Sequence, residues 1–439
     1  MGDAGTDTPL RVHFVTLGCP KNEVDSDRMM ATVAASGWSL VNELNDADVV
    51  VVNTCGFIRA AVEEGIEAVL ELTGWRDAVP GRKLVVAGCM VSRYGDELSD
   101  SLTEADAFLP ISAEEHLADL LGDLTGTERA APPPSAAAAR TPAGGPSAYL
   151  QIADGCFRTC AYCTIPSIRG PYRSRDLDDI VEEARFLSTT GAREIVLVGQ
   201  DTSAWGRDLP GDETLPDVIR AVAAVPGVEW LRVMYVQPDG VTDELLQAMA
   251  TTPQVCRYLD IPLQHASERV LRAMHRGGSA TTFLEMLARI RGAMPDVVLR
   301  TSLIAGFPGE TRADVQELIA FVDEARFDFA GVFTYSPEDG TVAGSLADLP
   351  SLRTRLARTQ RVRDVADAIG FERAAAHIGK ELDVLSEGLD EDGSPVGRWQ
   401  GQAPEVDGIV YLDREVAAGT MVRARVIDAL GYDLEAEVL

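Results

Sequence analysis

Cys156, Cys160 and Cys163 stand within eight residues, in the stretch DGCFRTCAYCTIPSIRG. Their spacing is C-x-x-x-C-x-x-C. Three thiolates on one tight loop can hold three irons of a 4Fe-4S cluster and leave the fourth without a protein ligand. An iron with an open position can bind and cleave a substrate or cofactor, whereas a fully ligated cluster mostly passes electrons. A zinc loop with a distant fourth ligand, or chance clustering, is the other reading, but a structural zinc usually takes four protein ligands and no further Cys or His lies nearby. A second set is dispersed. Cys19 in LGCP, Cys55 in NTCG and Cys89 in AGCM each follow an apolar run, and each has a glycine neighbour. They are either three independent buried cysteines or the ligands of one site. If the runs are strands of a parallel sheet, the thiols converge, because ligands gather beyond the carboxyl ends of such strands.

The elements that must position these residues read as follows. Between about residues 9 and 124 strands and helices alternate: RVHFVTLG, ADVVVVNT and RKLVVAG as strands, VDSDRMMATVAASG and AAVEEGIEAVLELTG as helices. This predicts an open α/β domain with a cysteine at each strand end. Residues 125–147, TGTERAAPPPSAAAARTPAGGPS, carry no hydrophobic period and read as a linker or exposed loop. From 148 to 374 the β-α alternation repeats about six times, with strands at AYLQIA, EIVLVG, WLRVMYV, RYLDIPL, VVLRTSLIAG and FAGVFTY. An array of that length fits a parallel barrel or partial barrel, whose chemistry sits at the carboxyl rim. From 375 to 439 short alternating strands (LDVLSEG, GIVYLD, MVRARVIDA, DLEAEV) between Gly, Pro and Asp predict a small antiparallel β-barrel.

Composition narrows the setting. Mean hydropathy is near zero and no apolar run approaches the ~20 residues of a membrane span. The polar start, MGDAGTDTPLR, lacks an apolar signal region; Gly2 and Thr6 meet the loose myristoylation pattern, as small residues often do by chance. Seven cysteines without an export signal point to reduced thiols in a cytosol. Cys256 opens an apolar run and reads as a core residue. The net charge is −30. A chain this acidic avoids phosphate backbones and attracts basic partners. The C-terminal region is itself acidic, with fourteen acids and five bases from Lys380 to Leu439.

With both cysteine sets placed, nearly the whole chain resembles the methylthiotransferase family of radical S-adenosylmethionine (SAM) enzymes. Members combine an N-terminal three-cysteine domain, a radical SAM partial (β/α) barrel and a C-terminal TRAM module. On that pattern the domains are 9–124, 148–374 and 375–439. The TRAM likeness rests on VGRWQGQAPEVDGIVYL and YDLEAEVL. Within the family the chain is most similar to the RimO type, through LGCPKNEVDSDRM, VVNTCGFI, CTIPSIRGPYRSR, LVGQDTSAWG, YLDIPLQHAS, GFPGET and FTYSPEDGT. The resemblance implies that Cys156, Cys160 and Cys163 ligate the cluster that binds SAM, with the aromatic Tyr162 beside the last of them. Cys19, Cys55 and Cys89 would ligate an auxiliary 4Fe-4S cluster. Gly199, Gln200 and Asp201 would contact the methionine moiety of SAM, and Gly306, Phe307, Pro308, Gly309 and Glu310 would form a SAM-binding segment.

The implied reaction is C–S bond formation at an unactivated carbon, where no acid or base removes a hydrogen at neutral pH and a radical is required. The implied substrate is the β-carbon of an aspartate in small-subunit ribosomal protein S-twelve. An external reductase and a sulfur donor are expected, with no membrane and no tRNA. The rival within the family is a tRNA methylthiotransferase of the MiaB type, which calls for a basic RNA-binding module rather than an acidic one. The rival outside it is an iron-sulfur electron carrier, which would close the fourth coordination position. Arg169, Arg173 and Arg175 of IRGPYRSR lie where one of them could pair with a substrate carboxylate, or serve SAM or the surface instead.

Overall fold

The computed structural model describes residues 10–127 and 140–439, which form two compact units. The first unit runs to Thr141 and takes in residues 155–157 and 163–171 as well. The second comprises 142–154, 158–162 and 172–439. The SAM-motif loop is thereby divided, with Cys156 and Cys163 in the first unit and Cys160 in the second. Most of the expected linker, 125–147, lies outside the described residues, as do Gly2 and Thr6. At its far end Arg140 and Thr141 bond Asp27 at 2.6 and 2.7 Å.

The first unit is an open parallel sheet of strands β1 (Arg11–Thr16), β2 (Ser39–Leu40), β3 (Val49–Thr54), β4 (Lys83–Gly88) and β5 (Ala107–Pro110), in the order β2-β1-β3-β4-β5. β3 is buried along its whole length, as an uninterrupted VVVV run demands when helices cover both faces. The helices are α1 (Pro20–Ala35), α2 (Arg59–Ala78), α3 (Cys89–Tyr94), α4 (Asp96–Ser101), α5 (Leu117–Thr125) and, from the returning segment, α6 (Ile165–Arg169). α1 starts four residues before the expected VDSD, because Pro20 takes the first helical position, where its missing N–H costs nothing.

In the second unit the six expected strands are all present: β6 (Ser147–Gln151), β9 (Glu194–Val198), β10 (Trp230–Val233), β11 (Tyr258–Asp260), β12 (Val298–Ala305) and β13 (Phe329–Thr334). A short antiparallel pair, β7 (Ala153–Asp154) with β8 (Arg173–Ser174), brackets the cysteine loop. β6, β9 and β10 form one parallel sheet and β11, β12 and β13 another. A parallel bridge between Leu231 and Val255 and a bond from the Val236 N–H to the Asp260 carbonyl at 3.0 Å carry one into the other. The result is a partial barrel with β6 and β13 at its two edges. Helices α7 (Leu177–Thr189), α8 (Leu215–Ala223), α9 (Asp243–Thr251), α10 (Glu268–Ala273), α11 (Ala280–Ala293), α12 (Arg312–Ala325) and α13 (Leu352–Ala375) supply the outer layer.

The chain ends in a closed barrel of β14 (Glu381–Leu389), β15 (Pro395–Trp399), β16 (Val410–Leu412), β17 (Met421–Leu430) and β18 (Asp433–Val438). The expected small antiparallel barrel is present, with one parallel ladder in it: β16 and β18 pair in parallel and close the ring. β15 carries no alternating pattern of its own and follows a turn in which the Asp390 carboxylate accepts from the Asp392 and Ser394 N–H groups at 3.0 and 2.8 Å. This barrel caps the amino ends of the parallel strands through buried ions. Glu194, at the start of β9, accepts from Arg232 at 2.7 Å and from Arg398 at 2.6 Å, and all three side chains are 0–1% exposed. Arg398 also binds Glu387 at 2.7 Å. Nearby, Asp407 accepts from the Tyr258 hydroxyl at 2.7 Å and meets Arg300 at 3.4 Å.

Burial pushes the Glu194 carboxyl up, but Arg232 and Arg398 outweigh it and take it down to about 2. Its folded-state value lies below the ordinary 4.5, so its contribution is complete above that pH and lost as pH falls toward 2. Arg398→Ala leaves Glu194 and Glu387 short of a buried partner, and a loss of about 3–5 kcal/mol is expected from urea unfolding of the second unit. Between pH 4.5 and 2 the wild type should lose more stability than Glu194→Gln, which has no carboxylate to titrate. Equal losses in the two proteins would contradict the assignment.

Candidate active site

The carboxyl ends of β3 and β4 lead directly into Cys55 and Cys89, and that of the adjacent β1 leads into Cys19 after a short turn. Cys19 caps α1, Cys55 follows Thr54, and Cys89 is the first residue of α3. The glycine neighbours exist because these turns nest. A Cβ on Gly18 would lie 2.8 Å from the Cys55 Cβ, and one on Gly56 would lie 2.7 Å from the Cys89 backbone. Asn22 stands between the thiols. Its Oδ1 is 3.6 Å from the Sγ of Cys19 and 3.6 Å from that of Cys89, so each thiol can donate to it. Its amide Nδ2 donates to the Leu17 and Thr54 carbonyls at 3.0 and 3.1 Å, which fixes which end faces the sulfurs.

Arg169, at the end of α6, reaches the same place. Its Nη2 is 2.6 Å from Asp25 Oδ2, 3.2 Å from Asn22 Oδ1 and 3.6 Å from Cys89 Sγ. Burial pushes the Cys55 thiol up and takes the Cys89 thiol to about 12, with Arg169 opposing the shift at both. Among the described residues, no three His, Cys, Asp or Glu side chains gather closely enough to hold a single metal ion. A four-iron cluster takes its thiolates at different corners, so its ligands stand apart by the width of the cluster.

At the rim of the partial barrel, Gly199, Gln200 and Asp201 follow β9 directly. Asp201 accepts from Arg158 at 2.8 Å and from Ser203 at 2.6 Å, and its backbone carbonyl accepts from Tyr172 at 3.0 Å. Among the described residues the buried Nε2 of Gln200 has no hydrogen-bond partner, as befits a donor awaiting a ligand. Cys160 lies 3.7 Å from the Arg276 guanidinium. The adjoining Ala161 bonds Met274 and Ala343 through its backbone at 3.0 and 2.7 Å.

Gly306, Phe307, Pro308, Gly309 and Glu310 follow β12. Phe307 is fully buried in a cluster with Ala161, Met274 and Tyr335, and Tyr162 packs on its edge. The cysteine loop and the GFPGE segment are thus joined by apolar packing. Glu310 is turned inward: its carboxylate accepts from the Gly306 N–H at 2.9 Å and from Arg358 at 2.9 Å, and stands 3.4 Å from His265 Nε2. Thr311, next in line, caps α12. Of the arginines in IRGPYRSR, Arg169 is committed to Asp25 and Arg175 to Glu183 at 2.7 Å, while Arg173 is exposed. Cys256 is buried in the core, as expected.

Three family models match the chain: the radical SAM superfamily over residues 150–322, "Uncharacterized protein family UPF0004" over 11–110 and the TRAM domain over 378–439. A curated relative from Anaeromyxobacter sp. (strain Fw109-5), "Ribosomal protein uS12 methylthiotransferase RimO", is 43% identical over 437 residues, covering 98% of this chain and 93% of its own. The relative of that name from Geobacter sulfurreducens is 39% identical and is covered to 98%, with 98% of this chain. The chain belongs to the RimO family of radical SAM methylthiotransferases. Membership brings with it SAM and a 4Fe-4S cluster, and the relatives do not favour the MiaB-type alternative. A solved radical SAM methyltransferase, TsrM from Kitasatospora setae, shares the fold at a TM-score of 0.56 and 15% identity over 75% of this chain and 77% of its own.

What the sequence reading missed in this RimO-family chain is the polar frame of the dispersed cysteines. Asn22 and Asp25, three residues apart, share one face of α1, and Arg169 comes from far along the chain. The spacing of the first two was the available signal. In the cluster-free protein, the raised Cys89 thiol should alkylate with iodoacetamide far more slowly at pH 8 than an ordinary exposed thiol. Its rate should keep rising with pH beyond 10, toward about 12, instead of levelling near 9. Peptide mass mapping reads this out site by site, and a plateau near pH 9 for Cys89 would contradict the shift.

Proposed function

We propose that this protein transfers a methylthio group to the β-carbon of an aspartate in small-subunit ribosomal protein uS12, using two 4Fe-4S clusters and SAM in the cytoplasm. The observation that carries the reading is the gathering of Cys19, Cys55 and Cys89 at three adjacent strand ends, in a chain that also bears the radical SAM motif. A second three-cysteine set is what an enzyme that delivers sulfur from an auxiliary cluster would use. The RimO name of full-length relatives supports the substrate.

Cys156, Cys160 and Cys163 would hold the SAM cluster, and Cys19, Cys55 and Cys89 the auxiliary one. The clusters and SAM supply the radical and the sulfur; the chain binds and orients them and excludes water. Gly199, Gln200 and Asp201 would take the methionine end of SAM, with the unpartnered Gln200 amide as a donor. Asp201 is held in place by Arg158 and Ser203. Gly306 to Gly309 would offer backbone to the cofactor, and Tyr162 and Phe307 would fix the loop beside it. The domain limits 9–124, 148–374 and 375–439 fit this division of labour. An external reductase and sulfur donor complete the system, and tRNA is not a substrate.

Surface charge supports a basic partner. Arg398 is withdrawn into the Glu194 network, while Arg423 and Arg425 face Asp383 and Glu381 at 3.0 and 3.1 Å. Arg423 and Arg425 are thus paired with acids of the module itself, whose fourteen acids outnumber its five bases.

Anaerobic reconstitution should give about eight irons per chain, and joint replacement of Cys156, Cys160 and Cys163 by alanine should leave about half. Wild-type protein saturating near four irons would sink the two-cluster reading. Charge reversal at the exposed turn acids Glu391 and Asp392, sparing the turn-capping Asp390, should slow association with uS12, and added salt should slow it in the wild type. An assay offering both purified uS12 and tRNA decides substrate: methylthio product in tRNA alone would end the proposal.

A further inference from the structure

Within the first unit, Arg169 makes contacts that the reading above does not use. Its side chain is 1% exposed, and the paired Asp25 side chain is 8% exposed. A buried ion pair is seldom more stable than two apolar side chains of similar volume, so packing alone does not account for charge at this spot. What an apolar pair cannot do is set a full cation, with an N–H donor, against the Cys89 sulfur at 3.6 Å.

The Phe57 N–H and Lys21 serve Cys55, while Arg169 reaches Cys89. The Nδ2 of Asn22 is spent on Leu17 and Thr54, so the amide presents only its acceptor oxygen to Cys19 and Cys89. With thiols, that oxygen receives two S–H groups. With thiolates, it opposes two negative sulfurs, and the Arg169 Nη2 is the group that touches both the oxygen and Cys89. Placement is firm. Thr164, ahead of α6, donates to the Phe57 carbonyl at 3.1 Å, two residues after Cys55, and α6 packs along α3, whose first residue is Cys89.

We propose that Arg169 is a positioning residue for the Cys19, Cys55 and Cys89 site, where its guanidinium, oriented by Asp25, raises the reduction potential of the cluster held there. A hydrogen-bond donor and positive charge at a ligand sulfur favour the reduced, more negative state. The inference rests on the auxiliary-cluster reading and deepens it. The motif SIRG, in the same segment as Cys163, thereby serves the other cysteine set.

The test uses the full chain with Cys156→Ala, Cys160→Ala and Cys163→Ala, reconstituted so that the remaining iron reports the auxiliary site. Its midpoint is read by a redox titration followed by electron paramagnetic resonance. Adding Arg169→Gln should keep about four irons and shift the redox equilibrium about tenfold toward the oxidised form, about 59 mV for a one-electron couple. Arg169→Lys, which keeps the charge, should recover most of that shift. Full iron with an unchanged midpoint in Arg169→Gln overturns the proposal. If that variant holds no iron, Arg169→Lys decides: retained iron with a near-parental midpoint supports the role, and loss of iron there too overturns it. A parental triple variant without iron would overturn the auxiliary-cluster reading itself, and the proposal with it. That failure is distinguishable because Arg169 is native in it.

Discussion

The amide of Asn22 bonds two strand ends at once, donating to the carbonyl of Leu17 beyond β1 and to that of Thr54 at the end of β3. The first unit's chemistry depends on this constraint. Thr54 in turn donates to the Ala87 carbonyl of β4 at 2.7 Å, and Asn53 donates to the Asn22 carbonyl and to Ser26 at 2.9 and 3.0 Å. Three strands and α1 are laced together by buried polar side chains just where the cysteines leave the sheet. Buried donors and acceptors without partners cost about 1–3 kcal/mol each, and this lattice pairs the Asn22 and Asn53 amide N–H groups while leaving the Asn53 Oδ1 without a hydrogen-bond partner among the described residues. These bonds fix the turns, and fixed turns allow the glycines to bring Cys55 against Gly18 and Cys89 against Gly56.

The second unit answers a different constraint, that of holding a β-barrel firmly on the amino ends of a parallel array. Its solution is ionic. Glu194 is fully buried and would be costly alone, but it has two arginines, one from β10 and one from β15. The pairing is directional, because the Arg398 fork also bonds Glu387 and the Gln402 carbonyl at 2.7 Å each. An apolar seam would tolerate sliding; a fully used guanidinium fork does not. The docked end is thereby rigid, and the carboxyl rim of the same strands, with Asp201 and Gly306, is left for chemistry.

Much of this was legible in the sequence. All six barrel strands and both cysteine sets stand where apolar runs and glycine neighbours place them. The strand-end rule held for Cys55 and Cys89 directly, and for Cys19 after a short turn. What escaped reading was short or non-local. β2 and β5 have two and four residues, too few for a period to show. β15 is defined by its partners rather than by its own pattern. The parallel closure of β16 on β18 depends on how the ends of the barrel meet. Arg169 read as a candidate for a substrate carboxylate, and it does pair with one, but with Asp25 of its own chain, 144 residues away. No local pattern encodes such a pairing.

The GFPGE segment shows how a motif can be right and its roles still be divided. Glycine and proline there suggest backbone brought close to a cofactor, and the acid at the end suggests a polar contact to it. The acid is spent otherwise: Glu310 holds the Gly306 N–H and Arg358 in the interior, with His265 Nε2 3.4 Å away, and Thr311 caps α12. Phe307 is likewise turned inward, against the cluster that anchors Ala161 and Tyr162. With its two largest side chains fixed inside, the segment has only its backbone and Pro308 left to present. A loop pinned from within at both ends gains little freedom from its glycines; here they permit close approach, while Glu310 and Phe307 supply the rigidity that close approach requires.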